Sequence, residues 1–340
     1  MGYEKITRFS ARGIAQEAER KGVMGEILLE VRNLKKYYRV HGGTLHALDG
    51  LTLSMEKGTT MGIVGESGCG KSTLGRLLMG ITPPSGGEIL YKGRPLQGRK
   101  RACREIQMIF QDPFGSLNPQ MTVAEIILEP LRINRAGGDK RERDNYVREL
   151  MEMVGLSDRL AAAYPHELDG GRRQRVGIAR ALALRPELII CDEPVSALDV
   201  SIQAQILNLL KDLQEQRGLT YLFITHNLAV INHIADSVAV MYLGRCVERA
   251  GKEELFTNPL HPYTKALLDA VLPADLSAVK KTAPLLKGEI RPAIDPEPGC
   301  RFRERCRFAG DACEGKEDIP FIEAAPGHWC ACRYSSLRAR

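Results

Sequence analysis

No apolar run in this 340-residue sequence approaches the ~18 residues that a membrane-spanning helix needs. Self-insertion in a membrane is therefore not expected. The first twenty residues alternate charged and apolar side chains and lack the continuous apolar core of a signal peptide, so export is not expected either. Charge of one sign is scarce: 48 Lys and Arg oppose 42 Asp and Glu, for a net charge of +6. That excess is small and dispersed, which argues against a nucleic-acid surface. The short C-x2-C pairs of common zinc knuckles are missing as well.

What is present is an ordinary globular composition, 44% hydrophobic and 26% charged, in a chain long enough for a main domain and a smaller one. Nine cysteines are many for a chain with no sign of export. Cys300, Cys306, Cys313, Cys330 and Cys332 crowd the end, which favours a local metal site over a disulfide scaffold.

Residues Gly65-Glu66-Ser67-Gly68-Cys69-Gly70-Lys71-Ser72 fit the phosphate-loop pattern G-x-x-x-x-G-K-[ST] at every fixed position. A β-type run, Thr60 to Val64, precedes the loop, and a helix-like run, Ser72 to Met79, follows it. Glycines let backbone N–H groups curl around phosphate oxygens, and a helix N-terminus adds partial positive charge. Lys71 would reach the outer phosphates and the Ser72 hydroxyl would bind Mg²⁺. A glycine-rich turn with a chance lysine is the bland alternative, and the strand–loop–helix context disfavours it.

Along the chain, residues 1–25 read as an N-terminal arm. Short β runs follow at Ile27–Val31, Leu51–Met55 and Glu88–Tyr91, separated by turns at Gly42-Gly43 and Pro83–Gly87. Val147, Leu150, Met151 and Val154 recur at helical spacing. The charged stretch Gly137–Asp144 reads as a solvated loop leading into that helix. Residues 187–192 and 220–225 are buried-strand runs, with Ile202, Ile206, Leu209 and Leu213 on one helical face between them. Alternation of strand and helix predicts an α/β parallel sheet. Prolines and then cysteines multiply after about residue 255, which marks a C-terminal module.

A second acidic element is Leu188-Ile189-Ile190-Cys191-Asp192-Glu193, about 120 residues beyond the loop. Apolar residues running into two carboxylates put the acids at the mouth of a buried strand, where α/β sheets bind ligands. Asp192 would hold Mg²⁺ through water, and Glu193 would act as general base on the attacking water. On its own such a pair is usually only a helix N-terminus favoured by the dipole.

With these two elements the chain resembles the ATP-binding subunits of ATP-binding cassette (ABC) transporters. Further elements of that family stand in the expected order. Tyr38 matches the aromatic that stacks on adenine, with Tyr37 as the fallback. Gln111 matches the glutamine that senses Mg²⁺ and meets the membrane subunit. Ser196-Ala197-Leu198-Asp199 matches the loop that crosses a dimer interface, and His226 matches the histidine on the γ-phosphate. The resemblance implies a P-loop (RecA-like) core with an antiparallel β subdomain and a helical subdomain at about 115–180, all within residues 26–255. It implies ATP held by Tyr38 and by Gly65, Glu66, Ser67, Gly68, Cys69, Gly70, Lys71, Ser72 and Thr73. Ser72, Gln111 and Asp192 would serve Mg²⁺, and Glu193, His226, Lys71 and Gln111 would serve catalysis.

One element departs from the family pattern. The signature Leu-Ser-Gly-Gly-Gln reads Leu168-Asp169-Gly170-Gly171-Arg172 here. In the family this segment closes on ATP held by the other subunit of a head-to-tail pair. A like charge about 4 Å away costs about 4 kcal/mol at an effective dielectric near 20, less whatever Arg172 neutralises. The resemblance therefore implies a heterodimer with one weakened site, unless the intact glycines make the change harmless.

Residues 256–340 narrow the resemblance. Asn258-Pro259-Leu260-His261-Pro262-Tyr263 is similar to the His-Pro-Tyr motif of dipeptide, oligopeptide and nickel importer ATPases. Physically it is a proline-fixed turn feeding a helix, in which His261 and Tyr263 need no chemistry. Cys300, Cys306, Cys313 and Cys332 match a cysteine pattern of the same subfamily, with Cys330 as a spare thiol. Four thiolates suit a [4Fe–4S] cluster or tetrahedral zinc. The subfamily implies the cluster. Implied partners are a second ATPase subunit, two transmembrane permease subunits and an extracytoplasmic binding protein, with no nucleic acid and a place at the cytoplasmic face of the membrane. An ABC ATPase without a transporter usually has two ATPase units or a coiled-coil insertion, neither of which occurs here. An exporter subunit is disfavoured by the tail.

Overall fold

The computed structural model describes residues 25–96, 104–270, 288, 291–315 and 317–334. The arm expected over 1–25 lies outside them except for Gly25, as does Cys103.

Two sheets organise the described residues. Strands β1 (Ile27–Val40), β2 (Gly43–Glu56), β4 (Gly86–Tyr91) and β5 (Arg94–Pro95) form an antiparallel sheet in the order β2-β1-β4-β5. The runs Ile27–Val31 and Leu51–Met55 seen in the sequence are only the more buried ends of the long strands β1 and β2. Polar extensions such as Lys35, Lys36 and Arg39 pair through backbone groups, which hydropathy does not report.

The second sheet has the order β11-β12-β10-β9-β3-β8-β7-β6. Strands β3 (Thr60–Val64), β6 (Ile106–Ile109), β7 (Leu188–Asp192), β8 (Thr220–Thr225) and β9 (Ser237–Tyr242) run parallel. Every residue of β3, β7 and β8 is buried, as fits strands covered on both faces. Strand β10 (Arg245–Gly251) then turns the sheet antiparallel, and β12 (His328–Cys330) and β11 (Ile322–Ala325) extend it. The C-terminal cysteine-bearing stretch, expected as a small module of its own, thus adds two strands to the core sheet.

Helix α1 (Lys71–Leu78) follows β3. Helices α2 (Val123–Asn134), α3 (Lys140–Met153) and α4 (Gly170–Leu182) lie between β6 and β7 and pack on one another through Ile126, Leu150, Val176 and their neighbours. Helix α3 begins inside the charged stretch that reads as a loop. Asp139 accepts from Glu142 N at 2.9 Å while the Glu142 carboxylate accepts from Asp139 N at 2.8 Å. This capping box satisfies the end of a helix whose first turns carry no hydrophobic signal. Helices α5 (Val200–Arg217), α6 (Leu228–Ile234), α7 (Lys252–Thr257) and α8 (Pro262–Asp269) complete the set among the described residues. No helix among them is long and apolar enough to cross a membrane.

Candidate active site

The phosphate loop is shaped by glycines where no other residue fits. Gly65 has φ +154°, and a Cβ there would stand 2.2 Å from Met241 O. Gly70 caps α1 with φ +104°, and its Cβ would stand 2.3 Å from Ala47 O. These close approaches let the loop curl against β2 and β9.

Loop and strand ends converge on one cavity of about 590 Å³. Ser67, Gly68, Gly70, Lys71, Ser72 and Thr73 of the loop line it, together with Gln111, Glu193 and His226 and, from β1, Tyr38. Gln111, Glu193 and His226 follow the carboxyl ends of β6, β7 and β8, the edge at which parallel sheets bind ligands. Lys71 is buried, with Nζ donating to Gly65 O at 2.6 Å and Glu66 O at 3.0 Å. The Ser72 hydroxyl donates to Asp192 Oδ1 at 3.3 Å. Burial raises the Asp192 carboxyl above its ordinary value, the Ser72 hydrogen bond opposes this and the neighbouring Glu193 charge adds to it.

Glu193 sits at φ +47°, a left-handed conformation that costs a non-glycine residue about 1–3 kcal/mol. Its N–H donates to Ile224 O at 2.8 Å, which fixes it to β8. Its two carboxylate oxygens are each engaged: Gln111 Nε2 donates to Oε2 at 3.0 Å, and His226 Nδ1 lies 3.1 Å from Oε1. Hard oxygen donors at Ser72, Asp192 and Gln111 suit Mg²⁺, which binds through one or two carboxylates and substrate phosphates. The chemistry open to this arrangement is hydrolysis of a bound polyphosphate, with a carboxylate poised at its end.

Two ABC-related family profiles match. "ABC transporter" covers residues 48–196, and "Oligopeptide/dipeptide transporter, C-terminal region" covers 247–313. The oligopeptide transport ATP-binding protein AppF of Bacillus subtilis is 51% identical over 326 residues, covering 92% of this chain and 98% of AppF. The chain belongs to the ATP-binding proteins of oligopeptide and dipeptide ABC transporters.

The OppF and DppF proteins of Escherichia coli are 49% and 46% identical, each over 90% of this chain and 96% and 93% of their own lengths. Among solved structures, the dimeric post-hydrolysis ATP-binding cassette MJ0796 with ADP and Pi aligns at TM-score 0.61 and 29% identity. It covers 66% of this chain and 99% of its own. The cassette cbiO1 from Clostridium perfringens aligns equally well, at 0.61 and 30%, covering 68% of this chain and 92% of its own. The ABC cassette fold expected from the sequence is thereby shown, and the chain is an ABC-type ATPase.

Within this family frame, several predicted residues sit away from the cavity. Tyr37 points elsewhere: its hydroxyl donates to Asp49 Oδ1 at 2.6 Å and its ring stacks on His46 at 4.2 Å, leaving Tyr38 on the cavity wall. The Cys69 side chain is buried within the loop, and burial raises its thiol. Glu66 turns its carboxylate to Arg305. Asp169, Gly170, Gly171 and Arg172 do not line the cavity. Asp169 instead caps α4, accepting from Arg172 N at 2.7 Å, and pairs with Arg172 Nε at 3.4 Å.

The cysteine expectation fares differently. Cys300 accompanies Cys306, Cys313 and Cys332 closely enough to feel their charges, and Cys300 N donates to Cys313 O at 3.0 Å. Burial pushes the Cys300 thiol up to about 11, and the neighbouring cysteines add to the shift. Among the described residues no group of three or more His, Cys, Asp or Glu side chains is placed to hold a metal ion. The expected [4Fe–4S] cluster or zinc is therefore not supported by the geometry.

Sequence reading missed Asp49, which gathers Tyr37, Arg245 at 2.8 Å and Arg301. Burial works against its charge, yet these partners hold its carboxyl well below the usual range. It also missed Leu45, His46 and Ala47 of β2 and Ala293 of the tail on the cavity wall. No local motif marks them. Buried Glu248 was missed too; it accepts from Leu260 N at 2.6 Å, His261 N at 2.9 Å and His328 Nε2 at 2.7 Å.

Proposed function

We propose that this chain hydrolyses ATP to power peptide import through an ABC transporter at the cytoplasmic face of a membrane. The observation that carries the reading is the Glu193 carboxylate held between Gln111 and His226 at the mouth of the phosphate-loop cavity. Relatives named for oligopeptide and dipeptide transport favour peptides over nickel as cargo.

In this proposal Tyr38 stacks on the adenine, loop amides and Lys71 hold the phosphates, and Glu193 takes the proton of the attacking water. His226 and Gln111 orient that carboxylate. Ser72, Asp192 and Gln111 hold Mg²⁺, which when bound neutralises charge on the phosphate oxygens. The permease subunits dock over the segment around Gln111, where Phe110 and Phe114 are 40% and 52% exposed. An extracytoplasmic binding protein delivers the cargo.

The cassette works head to tail with a second ATPase subunit of different sequence. The support is Asp169 in place of the signature serine, a carboxylate where the family pattern has a hydroxyl for the partner's nucleotide. A four-thiolate metal centre at Cys300, Cys306, Cys313 and Cys332 rests on sequence spacing alone and has no part in the ATP cycle proposed here; iron, sulfide and zinc analysis of anaerobically purified protein decides it.

The test is to purify the tagged chain from membranes, identify its partners, and reconstitute the assembly in vesicles. Two permeases and a second cassette should co-purify, and ATPase activity should rise when a peptide-loaded binding protein is added. Stimulation by nickel instead of peptides would replace the cargo. Absence of any permease would overturn the transport reading.

A further inference from the structure

The His-Pro-Tyr turn and the tail reach the phosphate loop directly, and both meet it at one residue. Glu66 N–H donates to Tyr263 Oη at 2.9 Å. The Glu66 carboxylate takes a two-pronged grip from Arg305, with Nη1 at 2.7 Å and Nη2 at 3.1 Å. The Glu66 carbonyl accepts from Lys71 Nζ at 3.0 Å. Every polar group of this loop residue is thus engaged, two of them by residues about 200 positions or more along the chain.

Both braces are themselves fixed. Tyr263 is fully buried, with its ring 4.7 Å from that of Tyr242 and 5.3 Å from that of Phe302. It opens α8 beside His261, whose backbone is anchored on buried Glu248. The Arg305 side chain is 8% exposed, and its guanidinium lies 5.9 Å from the centre of the Tyr242 ring. A planar guanidinium on a carboxylate in such a setting fixes orientation as well as distance.

We propose that Tyr263 and Arg305 are positioning residues that hold Glu66, and through it Lys71, in the geometry that receives the nucleotide phosphates. The inference rests on the reading that this loop binds ATP. It gives the His-Pro-Tyr turn a role, because its tyrosine satisfies a loop amide. Glu193 and His226 come from other strands and Lys71 keeps its bond to the Gly65 carbonyl, so loss of the brace weakens nucleotide binding more than it slows the turnover of bound ATP.

The experiment uses the full chain and measures the Kd for ATP, hydrolysis at saturating ATP and thermal stability. Variants are Tyr263→Phe, Arg305→Ala, the reversed pair Glu66→Arg with Arg305→Glu, and Lys71→Ala as control. Tyr263→Phe keeps the ring and removes only the hydroxyl. Arg305→Ala and Tyr263→Phe should each raise Kd about tenfold, the scale of one lost buried hydrogen bond or ion pair. Saturated turnover should stay within about twofold, and the reversed pair should recover most of the affinity that Arg305→Ala loses. Unchanged Kd in well-folded Tyr263→Phe and Arg305→Ala would overturn the brace. A parallel fall in stability, affinity and turnover without rescue by the reversed pair would also overturn it, leaving a structural role only. If Lys71→Ala binds ATP like the unmodified chain, the phosphate-loop reading fails and the brace falls with it.

Discussion

The Ser72 hydroxyl lies 3.3 Å from Asp192 Oδ1, although 120 residues separate them. This contact joins the first turn of α1 to the carboxyl end of β7. It brings together the two oxygens proposed for Mg²⁺, while Glu193, the next residue, lines the cavity beside Gln111 and His226. The chain takes a left-handed turn at Glu193 as β7 ends, and the adjacent carboxylates meet different partners, Ser72 for Asp192 and Gln111 with His226 for Glu193.

Replacing Glu193 with Gln is expected to lower ATP turnover by about 10²–10⁴-fold, the usual contribution of a positioned base. Gln keeps the shape and can still meet Gln111 and His226, so ATP affinity should stay within about threefold. Single-turnover hydrolysis and equilibrium binding check this. Normal hydrolysis would remove Glu193 from the role of base.

Asp169→Ser should raise the ATPase activity of the chain without a partner cassette by about tenfold, equivalent to about 1.4 kcal/mol. The gain falls short of the cost of a bare charge because Arg172 pairs with Asp169 on an exposed surface. Helix α4 should keep its stability, since Ser caps as well as Asp. Activity that is already full, and unmoved by the substitution, would show that the signature departure is harmless.

Asp49→Ala should destabilise the fold by about 3–5 kcal/mol, because it strands the buried charge of Arg301. Burial already presses that guanidinium down to about 10. Urea unfolding measures the loss. A change below about 1 kcal/mol would mean that water or a shifted acid replaces Asp49.

His261 carries a pH signature. Burial lowers its imidazole to about 4, with the Glu248 charge opposing the shift and His328 pairing with that same carboxylate. The folded chain keeps His261 neutral where the unfolded chain binds a proton below about 6.5. Stability from this group is therefore complete above that value and is lost as pH falls toward 4, by up to about 3 kcal/mol. His261→Asn keeps an acceptor for the Tyr263 N–H and removes the titration. Its stability should fall less steeply than that of the unmodified chain between pH 7 and pH 4.5. Parallel curves would refute the assignment.

The phosphate loop, the acidic end of β7 and the order of the later elements were legible because each is local. A loop that wraps phosphate needs glycines, a lysine and a following helix at fixed spacing, and a buried parallel strand needs a continuous apolar run. The start of α3 was not legible, since a capping box of Asp139 and Glu142 looks like solvated charge until its backbone partners are known.

By itself the sequence determined the cassette family, the α/β class and most of the loop and strand-end residues that line the cavity, because those depend on contiguous backbone geometry. Only the tertiary structure decided that Tyr38 and not Tyr37 faces the cavity, since the choice turns on Asp49 and His46 across β1 and β2. Only it set the tail's strands against β10 and brought Arg305 to Glu66 across 239 residues. Such pairs are fixed by the closing of the whole core around them, and neither partner carries a local mark of the other.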